Sequence, residues 1–216
     1  IKWRLGKNYL KNLDDVDILF RTPGLPLTKP ELRRAQKNNV EISSQIKLFF
    51  DLSDAKIIGV TGTKGKGTTT DLIYRILSQS NKQQVTNDKE KKSQISSLKS
   101  QIFLGGNIGN PPISFIDKLT SKDWVVLELS SFQLNDLEKS PNIAVILDIK
   151  VDHLDYHHYK ADYISAKKNI VTHQRKKDYV VVNIDYLTSF EFGVESPSGN
   201  VWFFSRKKSV DLGAYV

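Results

Sequence analysis

Cysteine and methionine are both missing from this 216-residue sequence. Without cysteine there is no disulfide and no thiolate metal site, which leads us to expect a reducing, cytoplasmic location. A chain that starts at Ile1 and holds no methionine reads as a piece of a longer reading frame, so both ends are taken as cut. No apolar run approaches the ~20 residues that span a bilayer, and no charged-then-apolar leader is seen, so no membrane partner is expected. Base-reading modules are lacking too: there is no Cys/His finger and no aromatic-interleaved RNP-like strand. The net charge of +8 gathers at 82–99, 167–177 and 206–208, and reads as a solvated basic face partly serving anionic substrates, with no nucleic acid expected.

What is present is enough for one full domain and part of another, with 39% hydrophobic residues to build a core. Short apolar runs alternate with helical patterns, which predicts an α/β fold with a mainly parallel sheet and helices on both faces. Strands are expected at 57–61, 101–104, 124–129, 144–149, 179–183 and 201–204. Between them, 68–80 carries Leu72, Ile73, Ile76 and Leu77 at helical spacing, and 159–172 puts Tyr163, Ala166, Ile170 and Val171 on one face. The lysine-rich stretch 80–100 is short of core residues and reads as a surface insertion or a disordered loop. Earlier, 18–20 reads as a strand, TPGLP at 22–26 as a turn and 30–38 as a helix. A boundary near 51–54 follows, dividing the chain into 1–53 and 54–216.

Three stretches carry chemistry. In IIGVTGTKGKGTTT an apolar strand feeds a glycine-rich turn. Gly62, Gly65 and Gly67 let backbone N–H groups turn toward a polyphosphate, and the following helix presents its positive end. Gly62, Thr63, Lys64, Gly65, Lys66, Gly67, Thr68 and Thr69 are the nucleotide-binding candidates. Lys66 supplies a mobile charge, and a hydroxyl of Thr68, Thr69 or Thr70 can hold Mg2+ on the phosphates of a nucleotide. The plain alternative is a turn with no ligand. The second signal is Glu128 in VVLELSSFQL, a carboxylate at the C-terminal end of a buried strand, where open α/β sheets bind ligands and where Mg2+ could be held. The third is VDHLDYHHY with the helix behind it. Asp152, His153 and Asp155 follow a strand closely, and His153 is a plausible metal or substrate ligand, whereas His157 and His158 read as exposed loop residues. On chemistry alone Lys167 reads as an ordinary lysine on a helix surface.

Taken in order, TGTKGKGTTT, LGGNIGNPP, VVLELSSFQL and DHLDYHHYKADYISAKKNI resemble the Mur ligases. DILFRTPGLPLTKPELRRAQKNNVEISSQIKLFF is similar to the end of their N-terminal UDP-binding domain, so the resemblance covers nearly the whole chain. It implies the family's central ATPase domain at 54–216, incomplete, preceded by the tail of a Rossmann-like domain, with the C-terminal amino-acid-binding domain absent. GGNIG and ELSSFQL are similar to the member that joins D-glutamate to UDP-N-acetylmuramoyl-L-alanine. The implied activity is an ATP-dependent carboxylate-amine ligation through an acyl phosphate, by a monomer. Another Mur ligase, a folylpolyglutamate synthase-like ligase and a non-catalytic nucleotide-binding module are the alternatives.

By the same resemblance, Lys66 and the loop glycines hold the β and γ phosphates, and Thr68 and Glu128 take one Mg2+. Asn107 and His153 lie near the muramoyl substrate and a second metal, while Thr22 and Gly24 contact the UDP-sugar. Lys167 falls where the family carries a carbamylated lysine, an anion that can ligate or organise Mg2+. The catalytic set is thus Lys66, Glu128, His153 and Lys167. The sequence also departs from the pattern. Gly67 stands where Ser or Thr is usual, Lys64 replaces the more usual Asn, and 80–100 is longer than expected.

Overall fold

The computed structural model describes residues 5–87, 100–150 and 159–216, with the side chains of 81–87 left aside. The described residues form two sheets. β1 (Ile18–Arg21) pairs in parallel with β2 (Glu41–Ser44), and α1 (Pro30–Lys37) lies between them in sequence. Pro30 is suited to the first helical turn, where its missing N–H costs nothing. Leu32, Ala35, Val40 and Ile42 close a small core there. α2 (Gln45–Leu52) starts at Ser44, whose side chain accepts a hydrogen bond from the Lys47 N–H as an N-cap should.

β3 (Lys56–Thr61) then enters a seven-stranded sheet. α3 (Lys66–Asn87) leads to β4 (Ile102–Gly106), and a 3-10 segment over Pro112–Lys118 leads to β5 (Trp124–Glu128). α4 (Ser131–Leu134), β6 (Ile143–Ile146), α5 (Lys160–Thr172), β7 (Tyr179–Asn183), α6 (Leu187–Val194), β8 (Asn200–Ser205) and β9 (Gly213–Tyr215) follow. The strand order is β4-β5-β3-β6-β7-β8-β9, and every pairing is parallel. All C-terminal strand ends therefore share one edge. After β3 the chain runs to β4 and β5 on one side, then crosses to β6 on the other, so the switch in direction falls beside β3.

Burial follows the two-residue period of a strand. Ile57, Val125, Leu127, Ala144, Ile146, Val180 and Val182 face one core, with Phe49, Tyr163, Ile170 and Phe192 of the helices. Ile58, Val60, Val126 and Val145 face the other, against Ile73, Tyr74 and Leu77 of α3. Each Val, Leu, Ile or Phe among them contributes about 1.5–3 kcal/mol on burial. On the first face Phe49 meets Phe115 edge-on at 6.1 Å, and Phe115 stacks on Phe103 at 5.2 Å, which joins α2 to the large sheet. At the opposite strand ends, Asp123 accepts the N–H groups of Gln101 and Thr120 and the Thr120 hydroxyl. Burial raises its carboxyl, but these bonds outweigh burial and hold it below its ordinary value.

The sequence expectations for strands 57–61, 124–129 and 179–183 match within a residue or two, as does the helix at 159–172. The structure corrects others. α3 runs on to Asn87, past the stop expected at Ser80, and residues 88–99 lie outside the described residues. On α3, Leu72 and Ile76 are exposed, because the inward stripe is centred on Thr70, Ile73 and Leu77 and leaves those two about 100° away. β2 and β9 have no counterpart among the expected elements, and β6 ends at Ile146, before 147–149.

Candidate functional site

The phosphate-type loop hangs between β3 and α3. Gly62 and Gly65 have φ of 156° and 80°, and a Cβ on Gly62 would meet the Leu147 side chain at 2.7 Å, so glycine is required there. Thr61 Oγ1 donates to the Leu129 carbonyl at 2.9 Å, and Thr63 N–H donates to the Asp148 carbonyl at 2.7 Å. Lys64 N–H reaches Asp148 Oδ1 at 3.3 Å. These two amides are thus engaged by the segment after β6 and are not among the N–H groups turned toward a polyphosphate. The first intrahelical bond runs from Thr69 N–H to the Gly65 carbonyl. It leaves the N–H groups of 65–68 at the open start of α3, where helix geometry supplies an anion site. Lys66 Nζ folds onto the Thr63 carbonyl at 3.0 Å, and Thr68 is exposed in the same turn.

Glu128 ends β5 beside this loop. It pairs in register with Val60 on one side and Gly106 on the other. Its side chain is 4% exposed. Oε1 accepts the Asn107 side-chain amide at 3.0 Å, and Oε2 lies 3.0 Å from where a Cβ would stand on Gly67. A carboxylate at the positive end of α3 is worth about 0.3–1 kcal/mol or more. A Cβ at position 67 would stand in close contact with the end of the Glu128 side chain, which a shift of a few tenths of an ångström relieves. Asn107 is held in turn, its N–H donating to the Glu128 carbonyl at 2.9 Å. Gly106, with φ of 104°, approaches β5 so closely that a Cβ would sit 2.2 Å from that same carbonyl oxygen.

Lys167 is not the surface lysine that its chemistry alone suggests. It is 2% exposed, on the inward stripe of α5 with Tyr163, Ala166 and Ile170. Its Nζ donates to the Gly62 carbonyl at 2.9 Å and to Thr61 Oγ1 at 3.3 Å, and stands 4.9 Å over the Tyr163 ring. Tyr163 Oη and Thr63 Oγ1 are 3.2 Å apart, and Thr63 Oγ1 also donates to the Lys150 carbonyl at 2.9 Å. Lys167 and Tyr163 therefore grip the back of the loop from α5. His153, with Asp152, Asp155, His157 and His158, lies outside the described residues. Thr22 and Gly24 are exposed on the turn after β1, apart from the loop in sequence and in element.

Sequence reasoning missed Arg21 altogether. Its side chain is fully buried and forms a bidentate pair with Asp136, Nε to Oδ2 at 3.0 Å and Nη2 to Oδ1 at 2.7 Å. Nη2 also donates to the Phe132 carbonyl at 3.1 Å, and Nη1 to the carbonyls of Thr22, Pro23 and Leu25 at 3.4, 3.3 and 3.2 Å. The only sequence signal is an arginine at the end of an apolar strand.

Fold and site define a class: a parallel α/β sheet with a phosphate-type loop at its switch point and an acid on the neighbouring strand. The Mur ligase middle domain matches residues 60–214, and the chain belongs to the Mur ligase family. It is 42% identical over 216 residues to the UDP-N-acetylmuramoylalanine--D-glutamate ligase of Acetivibrio thermocellus, and 38% identical to the protein of the same name from Clostridium acetobutylicum. All of this chain is covered in both comparisons, and it spans 42% of the length of each relative. In fold it is similar to the crystal structure of UDP-N-acetylmuramate:L-alanyl-gamma-D-glutamyl-meso-diaminopimelate ligase from Neisseria meningitides. The TM-score is 0.54 at 15% identity, covering 90% of this chain and 62% of that one.

Proposed function

We propose that the protein carrying this chain joins D-glutamate to UDP-N-acetylmuramoyl-L-alanine at the expense of ATP, in the cytoplasm, as a monomer. The observation that carries the reading is the meeting of three separate motifs: Glu128 of ELSSFQL bonded to Asn107 of GGNIG, with its other oxygen against Gly67 of the phosphate loop. The relatives' names supply the substrates. In this reading 1–53 closes a UDP-substrate unit, with Thr22 and Gly24 on the UDP-sugar, and 54–216 is part of the ATP unit.

The chemistry asked of these residues is positioning and charge neutralisation. The open N–H groups at the start of α3 receive the β and γ phosphates, and Lys66 leaves the Thr63 carbonyl to follow the transferred phosphoryl group. The substrate carboxylate attacks the γ phosphorus as the bond to ADP breaks. The D-glutamate amine then attacks the acyl carbon, loses a proton and expels phosphate. Asn107, exposed yet fixed to Glu128, is suited to orient the muramoyl substrate. Mg2+ when bound neutralises charge on the transferring phosphoryl group. Thr68 and Glu128 would hold it, with His153 and a carbamylated Lys167 at a second ion. Among the described residues no group of three His, Cys, Asp or Glu side chains gathers. One carboxylate with phosphate oxygens and water suits Mg2+, which rarely takes an all-protein cage.

Amide formation by the complete protein, with ATP, Mg2+ and a panel of UDP-muramoyl precursors and amino acids, tests this reading. Product is expected from UDP-N-acetylmuramoyl-L-alanine with D-glutamate. Product only from another precursor or amino acid would contradict it.

A further inference from the structure

We propose that Arg21 is a positioning residue, which locks the turn Thr22–Leu25 to the segment after Glu128 and so sets where a UDP-sugar lies relative to the transferring phosphate. The inference rests on the proposed reading of that turn as the UDP-sugar contact. What points to it is the distribution of one guanidinium's bonds. One nitrogen serves three carbonyls of a single turn, while the other two serve Asp136 and Phe132, which follow Glu128 by a few residues. A turn whose carbonyls converge on one planar cation has little freedom left, and a bidentate partner fixes that cation in orientation as well as place.

The seam around it adds direction. Lys47 of α2 pairs with Glu138 at 3.0 Å, and Lys139 pairs with Asp51 at 2.8 Å, so the stretch 136–139 meets residues of 21–51 three times. Those two pairs have exposed partners, whereas at Arg21 and Asp136 the side chains are 0% and 11% exposed. Exposed pairs contribute little and are screened by salt. Of the three ion pairs, Arg21 with Asp136 is therefore the one that can fix the turn against the strand-end acid, across a seam that Phe49 and Phe115 also hold. A lysine could keep the charge but not the fork, and would have to choose between Asp136 and the turn.

The test uses the complete protein with Arg21→Lys and Asp136→Asn, and Glu138→Gln as a control on an exposed pair. Initial rates are measured against UDP-N-acetylmuramoyl-L-alanine and, separately, against ATP, well below each variant's unfolding temperature. Arg21→Lys and Asp136→Asn should lower kcat/KM for the UDP-linked substrate on the order of 10- to 100-fold, the scale on which misplacement acts. KM for ATP and the parameters of Glu138→Gln should stay near the parent's. Should Arg21→Lys fail to fold, Asp136→Asn, which leaves the turn's three carbonyl bonds in place, reads the same outcome. Parent-like kinetics in folded variants, or a rise in KM for ATP as large as that for the UDP-linked substrate, would overturn the role and leave Arg21 as a stabilising residue only. A parent protein that does not use the UDP-linked substrate would instead overturn the proposed function.

Discussion

Replacing Gly106 with alanine should disable the site without removing any functional side chain. The φ of 104° is a conformation that L side chains rarely adopt, and enforcing it costs about 1–3 kcal/mol. The new Cβ would also stand 2.2 Å from the Glu128 carbonyl oxygen and 2.8 Å from its nitrogen. Both atoms are backbone, inside a parallel sheet, and cannot rotate away. β4 and β5 would have to separate by about 1 Å, an overpacking that adds about 1–3 kcal/mol. The sum is a large share of the ~5–15 kcal/mol that holds a typical domain folded. Separation of β4 from β5 also pulls Asn107 from Glu128, and a 1 Å error at a reacting centre costs on the order of 100-fold in rate. Gly109→Ala is the natural comparison, since its φ is 71° but its Cβ would meet nothing nearer than 3.6 Å. Urea unfolding of both variants, with amide formation by the complete proteins, reads the difference. If Gly106→Ala unfolds at the same urea concentration as the parent and keeps its kcat/KM, the close approach of β4 to Glu128 is wrong.

Further outcomes follow from other parts of the molecule. Lys167→Ala should abolish ligation in the complete protein, and short-chain carboxylates should partly restore it if the working group is a carbamate; full activity without them would exclude any role. Asp123 has its carboxyl held below the usual ~3.9, so its stabilisation is complete above that pH and is lost as pH falls through the lower folded value. Asp123→Asn should therefore be less stable than the parent at neutral pH and approach it below about pH 4, as read by urea midpoints across pH. The 216-residue chain alone, which spans 42% of its relatives' length, should form no amide in an assay where the complete protein does; turnover by the chain would show that the catalytic unit is smaller than proposed.

The sheet was legible because its strands are buried on both faces and read as short β-branched runs, as in VVLEL and YVVVN. The loop was legible because glycine, lysine and threonine at those spacings have few other uses. Lys167 was misread from chemistry alone, since a helical lysine counts as polar even when it lies one step from Ala166 on the inward stripe and finds a loop carbonyl to bond. Arg21 could not be seen at all. Its partner Asp136 is 115 positions away, and nothing local marks either residue. Leu72 and Ile76 show the reverse failure: apolar spacing alone does not say which of two adjacent stripes faces the sheet.

That Glu128 and the Lys66 loop form one Mg2+-nucleotide site is tested most directly by calorimetric titration of ADP into the complete protein, with Mg2+ and with chelator, for the parent and Glu128→Gln. Mg2+ should tighten ADP binding to the parent, and Glu128→Gln should lose most of that increment while binding metal-free ADP as the parent does. An unchanged Mg2+ increment in Glu128→Gln would contradict the shared site.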